Sequence, residues 1–522
     1  MLPTHLTNTY EKSVVNINPG LDDLNKFIKI GNHSLLVKGR SGTGKVTLCF
    51  ELARNNIDKF EVIFASRNVS GKGLHNRFPW VKPIVKPHNI LSISNLDSML
   101  ADPSFILTNI ANSVSNLTMK IQDPFSSLEE SPRPFAILDG WEGITRELDS
   151  PARTKAEKML TSIISRSEGF IVFLVEEIDK SSIEYLVDGV IVLNQDFYKS
   201  YRLREMQIEK LKGTHITRAK VPFTLEGGRF RTFSGLSQRL SIDKSNNFIP
   251  IPHSDGFFST GSLELDHKLN GGFRRGTIIS IEIEEDVDRF VFVPILAPII
   301  LNFISQDHAA FVVPASDQYG SAVAKYIIPY APKDKITKFL RIFSSADTSI
   351  QENSETIEGE KRRGQVPVST PQPLSSDQPS TLPLRPIADL SYLLLNTEKT
   401  FSQTFLLWLN ARMKLRQKSR GCVTTIDYSF VELEFQNEIQ LILKSIIEMS
   451  RLTRRSNDLL IMVSRPNYRS LDVMRSISDM HMRVFGYDGA VMLAATKPQL
   501  FLYNIQSDFS AGFPNSILQE ST

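Results

Sequence analysis

The sequence is poor in several features that would each point to a definite class of protein. Two cysteines in 522 residues, Cys49 and Cys422, exclude a disulfide framework and indicate a reducing compartment. The 60 basic and 57 acidic residues leave a net charge of +3, so the chain as a whole lacks the strongly basic character of nucleic-acid-binding proteins. We therefore do not expect nucleic acid as the main partner, although this balance does not exclude it.

Long apolar runs are also missing. The most apolar stretch, FVFVPILAPIILNFI at 290–304, is shorter than the ~20 residues that a membrane-spanning helix needs and contains Pro294 and Pro298. We interpret it as a buried helix of a soluble domain. The first residues, MLPTHLTNTYEKS, have neither the basic nor the apolar region of a secretory signal, so a cytoplasmic location without membrane contact is expected.

Apolar runs of strand length alternate with helix-length segments through most of the chain. This alternation is typical of an α/β fold with largely parallel sheets flanked by helices. Because 522 residues exceed one ordinary domain, we predict two, at 1–240 and 250–522. The strand candidates are SLLVKG, EVIFAS, FAILDG, FIVFLV and GVIVLN in the first domain, and TIISIEI, AAFVVP, CVTTID and LLIMVS in the second.

Residues 347–386 differ in composition from both domains. They are rich in Pro, Ser, Thr and Gln and have few large apolar side chains, so they cannot bury enough surface to offset the entropy of ordering. We predict that they form a disordered insert in the second domain.

The two domains resemble one unit repeated. Aspartates and loops recur in the same order and at nearly the same intervals, once the insert is left out. The matched positions are Asp22 and Asp266, Gly39 and Ile283, Asp139 and Asp427, and Asp188 and Asp479.

The segment GRSGTGKVT has the composition and context of a phosphate-binding loop. It follows the strand candidate SLLVKG and leads into the helical pattern TLCFELARN. Glycines allow close approach to a phosphate, backbone N–H groups and the helix dipole favour the anion, and Lys45 would reach the β- and γ-phosphates. We predict that ATP binds here; the alternative is a glycine-rich turn that binds nothing. The nucleotide-binding residues would be Gly39, Arg40, Ser41, Gly42, Thr43, Gly44, Lys45, Val46 and Thr47.

Val46 stands where a phosphate-binding loop usually has Ser or Thr. Its hydrocarbon side chain cannot ligate Mg²⁺, and Thr47 lies about 100° further around the helix. Asp139, at the end of RPFAILD, is then the predicted Mg²⁺ ligand; the alternative is an aspartate that caps the following turn. ATP binding is expected to survive the loss of the hydroxyl better than hydrolysis.

The matching loop of the second domain has no glycine. It reads IEEDVDR, and its four carboxylates would repel phosphate. We predict that the second domain is a degenerate copy without a functional phosphate-binding loop.

Several stretches resemble the KaiC-like class of RecA-type ATPases. They are STGSLELDHKLNGGFRRGTIISIE, YLVDGVIVL, RLREMQIEKLKGTHI and FTLEGGRF. More narrowly, VSGKGLHNRFPWV, RPFAILDGWEGI and LRE…EKLKG resemble the P-loop domain of the archaeal gas vesicle regulatory GvpD family. The resemblance covers about residues 18–233, and beyond Gly261 it covers the RecA-like framework alone. It implies two tandem RecA/KaiC-like P-loop NTPase domains.

The resemblance also implies catalytic positions. KaiC-like proteins carry paired glutamates after the second strand as the water-activating base, but here EVIFAS leads into arginine, so this base is missing. Glu142, Glu176 and Glu177 could face the site from other positions. Lys210 and Lys212 match a basic pair that reaches the γ-phosphate of a neighbouring subunit; the alternative is a solvated basic edge strand.

The function implied by the resemblance is that of an ATP-binding regulatory protein with slow hydrolysis. GvpD proteins act on a transcription activator, so a protein partner of that kind and a homo-oligomer are implied. One alternative is a RecA-like DNA-binding ATPase, for which the basic patches are Arg451, Arg454 and Arg455, and Arg229 and Arg231. Another is a structural protein that binds no nucleotide.

Overall fold

Two α/β units make up the described part of the chain. The computed structural model describes residues 18–66, 71–92, 108, 112, 133–146, 148–176, 182–198, 201–233, 248–288, 293–314, 323, 327–345, 392–395, 400–498, 501–508 and 515–520. All nine runs that the sequence predicts as strands are strands. The predicted insert at 347–386 and the candidate residue Glu177 lie outside the described residues.

The first unit contains a mixed sheet. Its strands are β1 (His33–Lys38), β2 (Phe60–Ser66), β3 (Ile90–Ser92), β4 (Arg133–Asp139), β5 (Phe170–Val175), β6 (Gly189–Tyr198), β7 (Tyr201–Leu211), β8 (Lys220–Thr224) and β9 (Arg231–Thr232). They are ordered β3-β2-β4-β5-β1-β6-β7-β8-β9. The strands from β3 to β6 are parallel, and β7, β8 and β9 extend the sheet in antiparallel fashion.

The second unit contains a short antiparallel ribbon and a second mixed sheet. The ribbon is β10 (Phe257–Phe258) with β11 (Phe273–Arg274). The strands of the sheet are β12 (Ile278–Ile283), β13 (Ala309–Val313), β14 (Leu340–Ser345), β15 (Tyr392–Leu395), β16 (Cys422–Asp427), β17 (Leu459–Ser464), β18 (Met480–Tyr487), β19 (Ala490–Lys497), β20 (Phe501–Asp508) and β21 (Asn515–Glu520). Their order is β15-β14-β13-β16-β17-β12-β18-β19-β20-β21.

Helices cover the sheets, and several begin at side chains suited to capping. Asp149 accepts a hydrogen bond from the Ala152 N–H at 2.8 Å, and Thr400 forms a capping box with Gln403. The helices are α1 (Asp22–Ile30), α2 (Lys45–Asn55), α3 (Gly71–Arg77), α4 (Trp141–Ile144), α5 (Ser150–Arg166), α6 (Leu263–Lys268), α7 (Val293–Ser305), α8 (Lys333–Phe339), α9 (Phe401–Gln417), α10 (Tyr428–Glu434), α11 (Ile439–Ser456) and α12 (Arg469–Ile477).

The two sheets share one strand order. Each strand of the first sheet has a counterpart in the second, from β3 and β14 at one end to β9 and β21 at the other, and β15 is an added edge strand. In both sheets the parallel part ends at the strand after the central one, β6 or β18. This correspondence confirms the predicted tandem α/β domains.

Matching hydrogen bonds clasp each central strand to its neighbour. In the first domain Asp188 N donates to Ser34 O at 3.0 Å, and Ser34 N donates to Asp188 Oδ2 at 3.1 Å. In the second domain Asp479 N donates to Ile278 O at 2.8 Å, and Ile278 N donates to Asp479 Oδ2 at 2.9 Å. The aspartates that recur in the sequence therefore hold equivalent positions in the two sheets.

The same register extends to the loops and to the second pair of aspartates. Gly39 and Ile283 each lie five residues beyond the clasped residue of the central strand, so they occupy equivalent places. Asp139 and Asp427 end β4 and β16 at matching levels of the two sheets. The alignment inferred from the sequence is thus the alignment of the structures.

The central strands are buried on both faces. Every residue of β5 and β17 is buried, and apolar side chains alternate between clusters on opposite faces of each sheet. The apolar segment at 290–304 is helix α7 from residue 293 onward. As predicted, this helix is buried in the apolar core of a domain, here the second. Among the described residues, no helix is long and apolar enough to cross a membrane.

The clasp of the second domain can be tested by mutation. Asp479→Ala removes the acceptor of the Ile278 N–H at the centre of the sheet, and an unpaired buried donor costs about 1–3 kcal/mol. Arg454→Ala is the matched control, because it removes an exposed ion pair with Asp479, worth at most about 1 kcal/mol, and leaves the clasp intact. Urea unfolding followed by circular dichroism measures both losses. Equal losses would show that the clasp contributes nothing of its own.

Candidate functional site

A glycine-rich loop joins the central strand of the first sheet to helix α2. β1 ends at Lys38, which is buried, and α2 begins at Lys45. Gly42 and Gly44 have φ angles of 80° and 98°, in the left-handed region that favours glycine. The loop therefore needs glycine at these two positions to turn from the strand into the helix.

The loop is tightly packed on one side and open on the other. A Cβ atom at Gly39 would lie 2.8 Å from the carbonyl oxygen of Leu193, so a side chain does not fit there. Thr43 Oγ1 donates to Arg40 O at 2.9 Å and braces the loop from within. A Cβ atom at Gly42, in contrast, would meet no atom within 4 Å. The open side can receive a ligand that contacts the backbone directly.

The ammonium group of Lys45 lies inside the loop. Nζ donates to the carbonyl oxygens of Gly39 and Arg40, the latter at 3.0 Å. Burial lowers the pKa of Lys45, and nearby carboxylates, those of Glu176 and Asp139 first, oppose that shift. Lys45 thus supplies a positive charge at the loop, in position to exchange carbonyl partners for phosphate oxygens.

The first turn of α2 adds backbone donors. The first hydrogen bond of the helix runs from Leu48 N to Gly44 O at 2.9 Å, so the N–H groups of Lys45, Val46 and Thr47 precede it and have no helical acceptor. Together with the helix dipole these donors favour an anion. The Thr47 side chain is buried, whereas Val46 is partly exposed and packs against the first core.

Three carboxylates gather near the loop. Asp139, at the end of β4, accepts a hydrogen bond from Ser66 Oγ of β2 at 2.8 Å. Glu142 in α4 accepts a hydrogen bond from the backbone N–H of Glu176, the first residue after β5, at 2.7 Å. All three carboxylates act on the charge of Lys45. The structure thus brings these predicted catalytic and metal-binding residues together.

The carboxylate of Asp139 is suited to a share in Mg²⁺ binding. Burial raises the pKa of Asp139, while the hydrogen bond from Ser66 and the charge of Lys45 oppose this shift. Mg²⁺ is commonly held by one or two carboxylates together with phosphate oxygens and water. Within the described ranges, no three His, Cys, Asp or Glu side chains form a ready metal site. A magnesium ion bound here would take its remaining ligands from phosphate oxygens and water.

Sequence reasoning missed Arg204 of β7. This side chain is 5% exposed, and its Nε and Nη1 atoms are buried without a hydrogen-bond partner among the described residues. Burial and the charge of Arg202 lower the pKa of Arg204 to about 10. A buried cation with free donors is destabilising until an anion meets it. The sequence carries no signal for this, because Arg202 and Arg204 look alike in RLRE.

Arg204 lies on the loop side of the sheet. It pairs with Gln195 of β6, two residues beyond Leu193, the residue whose carbonyl closes against Gly39. It shares a face of β7 with Met206, a member of the core cluster that also contains residues of α2. We therefore count Arg204 among the candidate site residues.

Lys210 and Lys212 lie away from the loop within the chain. Lys210 Nζ donates to Val187 O at 2.5 Å and to Glu184 O at 3.1 Å, and Lys212 pairs with Asp188 at 2.9 Å. Lys210 lies in the part of β7 that pairs with the amino end of β6, and Lys212 follows it, whereas the loop follows the carboxyl end of β1. β7 lies between β6 and β8, and its pairing with β8 covers residues 204–207, short of these two lysines.

Arginines hold the acidic loop of the second domain. Arg465 donates to the carbonyl oxygens of Glu284 and Val287, both at 3.3 Å, and Arg483 pairs with the Glu284 carboxylate. Arg465 is the first residue after β17 and so takes the place that Glu176 has in the first domain. Arg465 and Arg483 thus contact the loop, and none of its described residues, 283–288, carries a positive charge.

Asp427, the counterpart of Asp139, caps a helix. Its Oδ1 atom accepts hydrogen bonds from Ser429 Oγ at 2.5 Å and from Phe430 N at 3.1 Å, at the start of α10. Oδ1 of Asp427 is thus engaged in helix capping, whereas the matching carboxylate of the first domain, Asp139, is the candidate metal ligand. The geometry agrees with a degenerate second copy.

The basic patches of the DNA-binding alternative are largely engaged within the chain. Arg229 forms a bidentate pair with Glu51, and Arg454 pairs with Asp479 at 2.9 Å. Arg451 pairs with the neighbouring Glu448 at 2.7 Å. No observation in the described residues favours nucleic acid over nucleotide.

The charge of Asp139 gives a prediction on stability. Because burial raises its pKa, the ionised carboxylate destabilises the folded protein at neutral pH. Asp139→Asn can keep the Ser66 hydrogen bond, so we expect Tm to rise by roughly 2–4 °C at neutral pH. The gain should fade as the pH falls and disappear below about 4, where the carboxyl group becomes protonated in the unfolded state as well.

Thermal unfolding by circular dichroism over this pH range is the measurement, with the exposed Asp58→Asn as control. A Tm that falls at neutral pH would contradict the assigned environment of Asp139. The same variant should weaken the Mg²⁺ dependence of ATP binding.

Comparison with known proteins agrees with this geometry. Residues 17–229 match a protein family described as "ATPase: KaiC". Protein GvpD1 of Halobacterium salinarum is 27% identical over 300 residues, which are 55% of this chain and 54% of that protein. Protein GvpD2 of the same organism is 27% identical over 296 residues, or 54% and 58% of the two chains.

The circadian clock oscillator protein KaiC of a Picosynechococcus species is 24% identical over 294 residues, or 53% of this chain and 54% of that protein. The chain thus spans about half the length of the curated relatives it matches. The family match contains the loop, Asp139 and β7, and confirms the resemblance inferred from the sequence. Residues 17–229, which make up most of the first domain, are thus similar to the KaiC family and to parts of the GvpD1 and GvpD2 proteins.

Proposed function

We propose that this chain is a cytoplasmic, ATP-binding regulatory protein of the KaiC/GvpD-like class. The observation that carries the proposal is the loop before α2, with its open side at Gly42, its backbone donors and the charge of Lys45. These features suit the triphosphate of a nucleotide. The second loop lacks the glycines and carries four carboxylates beside Arg289, so we expect one nucleotide to bind per chain.

The residues around the loop divide the work of holding the nucleotide. Lys45 exchanges its contacts with loop carbonyls for contacts with phosphate oxygens, and Arg204 adds a buried positive charge on the same side of the sheet. Asp139 shares in holding Mg²⁺, which when bound neutralises charge on the phosphate oxygens. The loop glycines Gly39 and Gly44 keep the backbone close to the ligand.

Hydrolysis is expected to be weak. β2 ends at Ser66 in place of the paired glutamates, and its hydroxyl is turned to Asp139. Val46 supplies no hydroxyl to the metal. Glu142 and Glu176 are the candidates for a base, because the hydrogen bond between them holds both close to the loop.

Protein partners read the nucleotide state in this proposal. A transcription regulator is the partner class that the GvpD resemblance implies. Lys210 and Lys212 would act on the nucleotide of a neighbouring copy. Within one chain they lie near the amino end of β6, whereas the loop follows the carboxyl end of β1. Such a role requires a homo-oligomer and the exchange of their present contacts with Val187 and Asp188.

Lys45→Ala is expected to lower ATP affinity roughly 100-fold or more, because charged hydrogen bonds to phosphate contribute about 1.5–3 kcal/mol each. Isothermal titration calorimetry should show one site in the wild type. Lys59→Ala is the control, since Lys59 is exposed and precedes β2 at the opposite edge of the sheet. Two sites per chain, or normal binding by Lys45→Ala, would disprove the proposal.

Val46→Thr is expected to tighten Mg²⁺–ATP binding about threefold to tenfold by adding a hydroxyl at a partly exposed position, in line with about 0.5–1.5 kcal/mol for a hydrogen bond. Hydrolysis should rise only modestly, since the paired glutamates are still absent. Calorimetry with and without Mg²⁺ and a phosphate-release assay measure the two effects. Val46→Ala, which adds no hydroxyl, should not increase the Mg²⁺ dependence.

Wild-type hydrolysis at the rate of an ordinary RecA-type enzyme would mean that Val46 is no defect. An unchanged affinity in Val46→Thr would mean that position 46 does not face the metal.

A further inference from the structure

A short segment of the first domain touches both the loop helix and the second domain. It runs from Leu225 to Phe233, follows β8 and includes β9. We call it the coupling segment. Its contacts with α2 lie at two levels of that helix, and its last residue is buried between the domains.

The first contact is at the start of α2. A Cβ atom at Gly44 would lie 2.8 Å from Leu225 Cδ2, so the Leu225 side chain packs directly against the loop backbone. Gly44 immediately precedes Lys45 and has no side chain to move aside. Any shift of the loop backbone on phosphate binding would therefore displace the Leu225 side chain.

The second contact is two turns further along α2. The Arg229 guanidinium donates to both carboxylate oxygens of Glu51, at 2.6 and 3.1 Å, and Glu51 is 2% exposed. The guanidinium also stacks on Trp80, 4.4 Å from the ring centroid, and Trp80 Nε1 donates to Gly228 O at 3.1 Å. A bidentate, stacked arginine has one favoured geometry, so Arg229 ties the segment to α2 at this point.

The part of the segment that follows Arg229 is held by further contacts. Phe230 stacks on Phe223 with ring centroids 4.2 Å apart. Thr232 N donates to Asn18 Oδ1 at 2.7 Å. These contacts connect Arg229 to Phe233 through packed residues and not through a loose loop.

The far end of the segment lies in the interface between the domains. Phe233 is fully buried in an apolar cluster with Leu203 of the first domain and with Met492, Ala494 and Leu502 of the second. The last three belong to β19 and β20. Four residues after Arg229, the segment is thus part of the packing of the second domain.

We propose that the coupling segment transmits nucleotide occupancy at the loop to the second domain, with Arg229 as its positioning residue. The first reader of the nucleotide is then the degenerate copy in the same chain. This inference rests on the proposed function, because it requires a nucleotide at the loop. A ligand shifts such a contact when it favours one arrangement of the segment over another, and Leu225 against Gly44 is where that preference arises.

The test uses the full chain and hydrogen–deuterium exchange with mass spectrometry, with and without Mg²⁺–ATP. We expect ATP to change the exchange of β19 in the wild type. Arg229→Met should lose this change while still binding ATP in calorimetry, and Arg229→Lys should recover part of it. Arg231→Met is the matched control, because Arg231 is an exposed arginine of the same segment and should leave the response intact.

The outcomes separate the two proposals. If the wild type binds no ATP in calorimetry, the proposed function fails and the inference falls with it. If ATP binds but the exchange of β19 stays the same, the inference alone is wrong. It is also wrong if Arg229→Met keeps the response or if Arg231→Met loses it.

Discussion

The site depends on strands that are buried on both faces. Because apolar side chains pack above and below β1, β4 and β5, polar chemistry can be placed at their ends and not along them. Asp139 ends such a strand, and Lys45 and Glu176 follow two others. Parallel pairing brings these ends to one edge of the sheet, and the clasp between Asp188 and Ser34 helps to hold the central strand in register with its neighbour.

The two domains show how little of this framework depends on the site. The two sheets share strand order and register, but their loops differ. One loop carries glycines and a lysine, and the other carries carboxylates and is contacted by Arg465 and Arg483. Loop residues lie outside the core, so they can change without loss of the fold. The second domain still provides an apolar surface that packs against the first domain, in the cluster around Phe233.

Two groups near the loop are poor choices for stability. The buried carboxylate of Asp139 has a raised pKa, and Arg204 has buried donors without partners in the described residues. Replacing either side chain with a neutral one of similar size would make the folded protein more stable. Perturbed charges of opposite sign around one loop are what a site for an anion and its metal requires, so the instability itself supports a binding role.

The sequence by itself determined the strands, the tandem arrangement, the loop at Lys45 and its degenerate counterpart, because these follow from local patterns and spacings. Tertiary structure alone decided which side chains meet. Ser66 reaches Asp139 across paired strands, and Arg229 pairs with Glu51, 178 residues away in the sequence. Arg204 has two buried donors without a partner among the described residues. Such contacts join residues distant in the chain, and their energies depend on burial and exact geometry, which periodicity and composition do not encode.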